Sequence, residues 1–110
     1  MDHTVREDRG AIVIALVGDV DLESSPKVRT VLLDCVGKKQ PVLVDMSAIA
    51  YIDSSGVASL VEAFQSARKL GTSFALVSVS EAALRVLQLA RLDKIFAIHS
   101  TLGEALGDGT

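Results

Sequence analysis

The chain has no tryptophan, one tyrosine and three phenylalanines, so aromatic packing can contribute little to its interior. With nearly half of its 110 residues apolar, the core must come from Val, Ile, Leu and Ala packed in layers, which suits an α/β protein. A single cysteine, Cys35, excludes an internal disulfide. Lying among Val31, Leu32 and Val36, it reads as a small buried hydrophobe in a reducing compartment. No apolar run nears the roughly 20 residues that cross a bilayer, the longest being 11–17 and 74–79. The charged first seven residues lack the apolar centre of a secretory signal. The expectation is a cytoplasmic protein with no direct membrane insertion. The formal charge of −3 and the absence of a Lys/Arg-rich run argue against a nucleic-acid partner, which would need a clustered basic face.

Catalytic constellations are missing as well. A serine nucleophile needs a base within hydrogen-bond reach and donors for an oxyanion, and the two histidines are His3 near the start and His99 near the end. No His/Cys pair has short metal-ligand spacing, and the glycines form neither a Walker loop nor a dinucleotide fingerprint. The residues therefore suggest a non-enzyme with no catalytic, cofactor or metal site.

What is present alternates strand and helix. Residues 4–7 and 11–17 suggest a hairpin through Asp8-Arg9-Gly10, its polar first strand at a sheet edge and its apolar second strand covered on both faces. Ser24 or Ser25, with Pro26 at the first helical position, opens a helix carrying Val28, Val31, Leu32 and Val36 and ending at Gly37. A strand over 41–46 follows, and 47–52 leads into a second helix that reaches about Leu70 and stops at Gly71. Val57, Leu60, Val61, Phe64 and Ala67 trace its apolar face, with Ser59, Glu62, Ser66 and Lys69 elsewhere. A buried strand over 74–79, a third helix from Ser80 carrying Leu84, Val86, Leu87 and Leu89, a short strand over 94–99 and a short helix over 101–106 complete the pattern. Nothing divides the chain, and residues 107–110 read as a loose tail.

Two segments stand out. Asp53-Ser54-Ser55-Gly56 places serines at a helix start, where four backbone N–H groups lack internal partners and the macrodipole is positive, so a phosphoserine would be tolerated. Ordinary N-capping by Asp or Ser explains the same residues. Gly18-Asp19-Val20-Asp21-Leu22-Glu23 follows a strand, and solvation is the default role of its carboxylates. If both segments follow the exits of neighbouring parallel strands, they share one end of the sheet.

In this order, Gly18 to Asp21, Asp53 to Gly56, and the late stretch 89–98 with Thr101-Leu102-Gly103-Glu104-Ala105-Leu106 resemble STAS domains over nearly the whole length. The likeness is specifically to the stand-alone bacterial anti-sigma factor antagonists. Val57-Ala58 stand where many such antagonists have Leu-Gly. The resemblance implies a single domain over 1–110. Its α/β STAS fold would have one mixed, largely parallel sheet of about five strands, about four helices and an antiparallel N-terminal edge strand. It further implies partner switching. The unphosphorylated form binds a serine kinase anti-sigma factor and frees the sigma factor. That kinase uses ATP and Mg²⁺ to phosphorylate Ser54 and abolish binding, and a serine phosphatase reverses the step. The docking face would comprise Asp19, Asp21, Leu22, Glu23, Asp53, Ser54, Ser55 and Gly56. A second implication is a non-enzymatic adaptor bound to the ATPase of a lipid ABC transporter.

Overall fold

Arg9 and Gly10, both at positive φ (53° and 83°), reverse the chain in the two-residue hairpin that a right-twisted strand pair favours. They join β1 (Asp2–Asp8) to β2 (Ala11–Val20). The chain continues as α1 (Ser25–Val36), β3 (Val42–Ile52), α2 (Ser54–Leu70), β4 (Phe74–Val77), α3 (Glu81–Leu89), β5 (Ala97–His99) and α4 (Leu102–Ala105). The computed structural model describes residues 1–107. The five strands form one sheet in the order β1-β2-β3-β4-β5, with β1 antiparallel to β2 and every later pair parallel. This is the mixed, largely parallel sheet with four helices that the sequence predicts.

The main core lies between the sheet and α1, α2 and α3. Ile12, Ile14, Leu16, Val44 and Met46 meet Val28 and Leu32 of α1, Leu60 and Ala63 of α2 and Leu87 of α3. The other face is covered in part by α4, whose Leu102 and Ala105, with Leu106, pack on Ala11, Val13, Leu43, Ala75 and Val77. Cys35 is buried, and burial pushes its thiol above the ordinary range, so it is held protonated.

Several boundaries differ from the sequence expectation. β2 runs to Val20, so Gly18 and Asp19 lie within the strand; Gly18, at φ +95°, sits where the β2–β3 register shifts. β3 likewise continues through 47–52 instead of ending at Met46. The same register shifts break the two-residue alternation there, which hides the strand in the sequence. β4 stops at Val77 because Ser78 turns to a φ of +51°. β5 is limited to 97–99 because Ile95 N–H and Phe96 N–H both donate to the Leu92 carbonyl and wind the preceding residues into a turn.

Helix faces are corrected too. On α2 the buried set includes Ala63 and Ser59, and Phe64 is half-buried, its ring edge-on to Phe96 at 5.4 Å. Ser59 was expected off the apolar face. It is buried where α1 meets α2, and its hydroxyl is within hydrogen-bond reach of the Ser25 and Ser55 carbonyls (3.3 and 3.2 Å). Glu62 reaches across to α1 as a forked ion pair with Arg29, Nε–Oε2 2.5 Å and Nη2–Oε1 2.7 Å. That pair lowers the Glu62 pKa and raises that of Arg29. Leu89, one of the apolar positions expected in the third helix, lies at the end of α3 and is 82% exposed, since Ala83 and Leu87 take the buried positions. The expected loose tail falls, from residue 108 on, outside the described residues.

Leu60 is 1% exposed in the main core. Leu60→Ala should therefore destabilise the protein by about 2–5 kcal/mol. Leu89→Ala should change stability by no more than about 0.5 kcal/mol. Chemical denaturation checks both, and equal midpoints for the two variants would contradict the packing.

Candidate functional site

Parallel β2 and β3 end side by side, Val20 opposite Ile52, and the residues that follow them are tied together by one side chain. Asp53 is the N-cap of α2, in extended backbone. Its Oδ1 accepts from Ser55 N–H (2.9 Å), Gly56 N–H (3.2 Å) and the Ser55 hydroxyl (2.6 Å). Its Oδ2 accepts from Leu22 N–H in the β2–α1 loop (3.1 Å), and its own N–H donates to the Val20 carbonyl (3.1 Å). The carboxylate thus fixes the start of α2 and the β2–α1 loop at once. The Ser55 hydroxyl bond, helped by the backbone donors, lowers the Asp53 pKa below its ordinary value despite the opposing effect of desolvation.

The approach is so close that position 56 has no room for a side chain. A Cβ there would lie 2.7 Å from Val20 Cγ1, 2.8 Å from Ile52 Cγ1 and 3.0 Å from the Val20 carbonyl oxygen. Glycine is required here by the contact between α2 and the end of β2.

The β2–α1 loop has its own hub. Asp21 Oδ1 accepts from Glu23 N–H (3.1 Å) and Ser24 N–H (3.0 Å), and Asp21 N–H donates to Ser24 Oγ (3.0 Å). Ser24 holds the N-cap position of α1, but its side chain makes no cap bond into the helix. That loop leaves Leu22 76% exposed, with Asp19 and Glu23 also exposed and Asp21 half-buried. The structure therefore brings Asp19, Asp21, Leu22 and Glu23 to the same end of the sheet as Asp53, Ser54, Ser55 and Gly56. Among the described residues no group of three or more His, Cys, Asp or Glu side chains is arranged to hold a metal ion. Neither histidine bonds to the motif: His99 Nδ1 lies 3.7 Å from Glu104 Oε1, and His3 N–H bonds to Asp2.

Two features were not readable from the residues. The first is a difference between the two serines. The Ser55 hydroxyl is engaged by Asp53, whereas Ser54 is exposed and its hydroxyl has no hydrogen-bond partner among the described residues. The second concerns the free N–H groups expected at the helix start. Ser55 and Gly56 N–H are occupied by the Asp53 side chain, and Val57 N–H by the Asp53 carbonyl. An anion on Ser54 would meet the helix dipole but find those three donors taken.

Comparison with known proteins follows the same outline. The STAS domain family profile matches residues 3–105. An anti-sigma-B factor antagonist of Listeria monocytogenes is 30% identical over 102 residues, covering 92% of this chain and 90% of the relative. Among solved structures, an anti-sigma factor antagonist from Mycobacterium paratuberculosis superposes with a TM-score of 0.88 at 27% identity, covering 96% of this chain and 91% of that one. The phosphorylated form of the Bacillus cell fate determinant SpoIIAA shares the fold, with a TM-score of 0.75 at 18% identity, covering 99% of this chain and all of that one.

The lowered Asp53 pKa sets a direction with pH. The stabilisation this carboxylate gives the folded state is complete above the ordinary Asp value of about 3.9 and is lost as pH falls through that value toward the lower folded one. Asp53→Asn should therefore show a shallower loss of stability on acidification than the parent. Parallel acid limbs in denaturation curves measured from neutral pH downward would contradict the role given to Asp53.

Proposed function

The chain belongs to the STAS domain family, and on that premise we propose that it is an anti-sigma factor antagonist whose docking is switched off by phosphate on Ser54. The observation that carries the reading is the contrast between adjacent serines, one hydroxyl held by Asp53 and the other exposed and unbonded. A kinase can take up the Ser54 hydroxyl without first breaking a bond of the fold. Names of relatives support the class: the Listeria protein is an anti-sigma-B factor antagonist, and SpoIIAA has been solved in a phosphorylated form.

In the unmodified state the face formed by Asp19, Asp21, Leu22, Glu23 and residues 53–56 meets a serine kinase anti-sigma factor in the cytoplasm, and the sigma factor is released. Leu22 supplies an exposed apolar contact within this acidic face. The kinase, holding ATP and Mg²⁺, then transfers the γ-phosphoryl group to Ser54 Oγ. A P–O bond forms at the serine, the bond to ADP breaks, and the hydroxyl proton passes to a base of the kinase. A serine phosphatase returns the hydroxyl and inorganic phosphate with one water.

Phosphate adds roughly −1.5 to −2 charges to a face that already carries Asp19, Asp21, Glu23 and Asp53. The Ser55 and Gly56 N–H groups are occupied by the Asp53 side chain, so the new charge stays turned outward and repels an acidic or poorly hydrated partner surface. No refolding is needed.

Incubation with the cognate kinase and ATP should place one phosphate on Ser54 in the parent and in Ser55→Ala, and none in Ser54→Ala, as mapped by fragment mass spectra. Ser54→Ala should fold as the parent does, because its hydroxyl makes no bond in the fold. Phosphate on Ser55 or elsewhere with Ser54 unmodified would overturn the assignment. Stable co-purification with a transporter ATPase in place of a kinase would favour the adaptor role.

A further inference from the structure

The three longer helices run opposite to the parallel strands, so their C-terminal ends gather at the pole away from Asp53. Along α2, 17 residues long, that pole lies about 25 Å from Ser54. There the chain after α3 is wound into a tight knuckle. Leu92 N–H donates to the Leu87 carbonyl at 2.8 Å, and Ile95 and Phe96 N–H donate to the Leu92 carbonyl at 3.0 and 3.1 Å. Arg91 and Lys94 are exposed on it, with Leu89 at 82% and Ile95 at 54%. Phe96 anchors the knuckle to α2 through Phe64, and the Arg68 guanidinium lies 5.9 Å from the Phe64 ring. Arg68 therefore borders the knuckle, and Lys69 follows it in the last turn of α2. None of Arg68, Lys69, Arg91 and Lys94 forms an ion pair among the described residues.

Helix-dipole compensation accounts for Arg68 and Lys69 in the last turn of α2. It does not account for Arg91 and Lys94, which lie beyond α3, nor for two aliphatic side chains held in water beside them. The geometry points to an adsorption site for an anionic lipid bilayer. The four cations meet headgroup phosphates, while Leu89 and Ile95 enter the boundary between headgroups and acyl chains. A lipid surface fits better than an acidic protein, because the exposed apolar residues here are aliphatic. The aromatic residues that usually anchor protein interfaces are turned inward, Phe96 buried and Phe64 half-buried. Charge polarity sets the orientation. Asp19, Asp21, Glu23 and Asp53 occupy the opposite pole and are repelled by an anionic surface, so a docked molecule presents Ser54 to solution. No helix among the described residues is long and apolar enough to cross a membrane, so the contact is peripheral.

Flotation of the full chain with vesicles of phosphatidylcholine, alone or mixed with phosphatidylglycerol, tests this. Binding is expected with phosphatidylglycerol and not without it, and should weaken as salt is raised. Apparent affinity should fall roughly tenfold or more in Arg91→Gln/Lys94→Gln, and clearly in Leu89→Ser/Ile95→Ser. Arg85→Gln, which removes a cation already paired with Glu81, should bind as the parent does. All these positions are exposed, and melting curves confirm that the variants fold. Absence of binding to anionic vesicles, or equal binding to neutral ones, would overturn the proposal. So would loss of binding in the charge variant with no change in the Leu89/Ile95 variant, the result expected of an acidic protein surface.

Discussion

The site depends on one carboxylate. Asp53 accepts four hydrogen bonds, three from the first turn of α2 and one from Leu22 in the loop after β2. Because it joins two segments more than thirty residues apart, the acidic loop and the serine pair form one surface. The same bonds decide the chemistry of each neighbour. Ser55 is held, Ser54 is left unbonded, and Gly56 must lack a side chain so that the helix can come close enough for the bonds to form. Because Asp53 occupies the Ser55, Gly56 and Val57 N–H groups, those three donors are not available to an anion at Ser54.

Topology extends this local arrangement to the whole molecule. Helices that return antiparallel to a parallel sheet place their N-termini at one end and their C-termini at the other. The carboxylates of the two strand-to-helix loops collect at the first end; several Lys and Arg residues of the helix-to-strand connections collect at the second. A chain with a small net charge thus has two poles of opposite sign. The basic pole is not visible as a run of like charge, because Arg68 and Lys69 close α2 whereas Arg91 and Lys94 follow α3.

Much of the fold was legible because the pattern is strongly periodic: the polar edge strand, the apolar second strand, the Gly71 stop and the motif at a helix start all follow from local rules. Where local rules failed, a long-range partner was responsible. β3 runs on to Ile52 because it pairs with β2, and the extra residues that β3 carries at the two register shifts scramble the alternation of residues 47–52. Ser59 is buried because α1 brings the Ser25 carbonyl within reach, and Glu62 is paired because the same helix presents Arg29. The candidate site residues are named from the motif and the resemblance, and their gathering at one end of the sheet was legible from the strand exits. The distinction between Ser54 and Ser55 was not, since it depends on the side-chain conformation of Asp53.

The central claim is that charge on Ser54, carried by an unchanged fold, governs partner binding. Calorimetric titration of the kinase anti-sigma factor with parent, Ser54→Asp and Ser54-phosphorylated protein, at low and high salt, tests it most directly. The account predicts strong binding by the parent and weaker binding by Ser54→Asp. The phosphoprotein should bind weakest, a hundredfold loss corresponding to about 2.7 kcal/mol, with part of the loss recovered at high salt. Equal affinities for the three folded forms would contradict it.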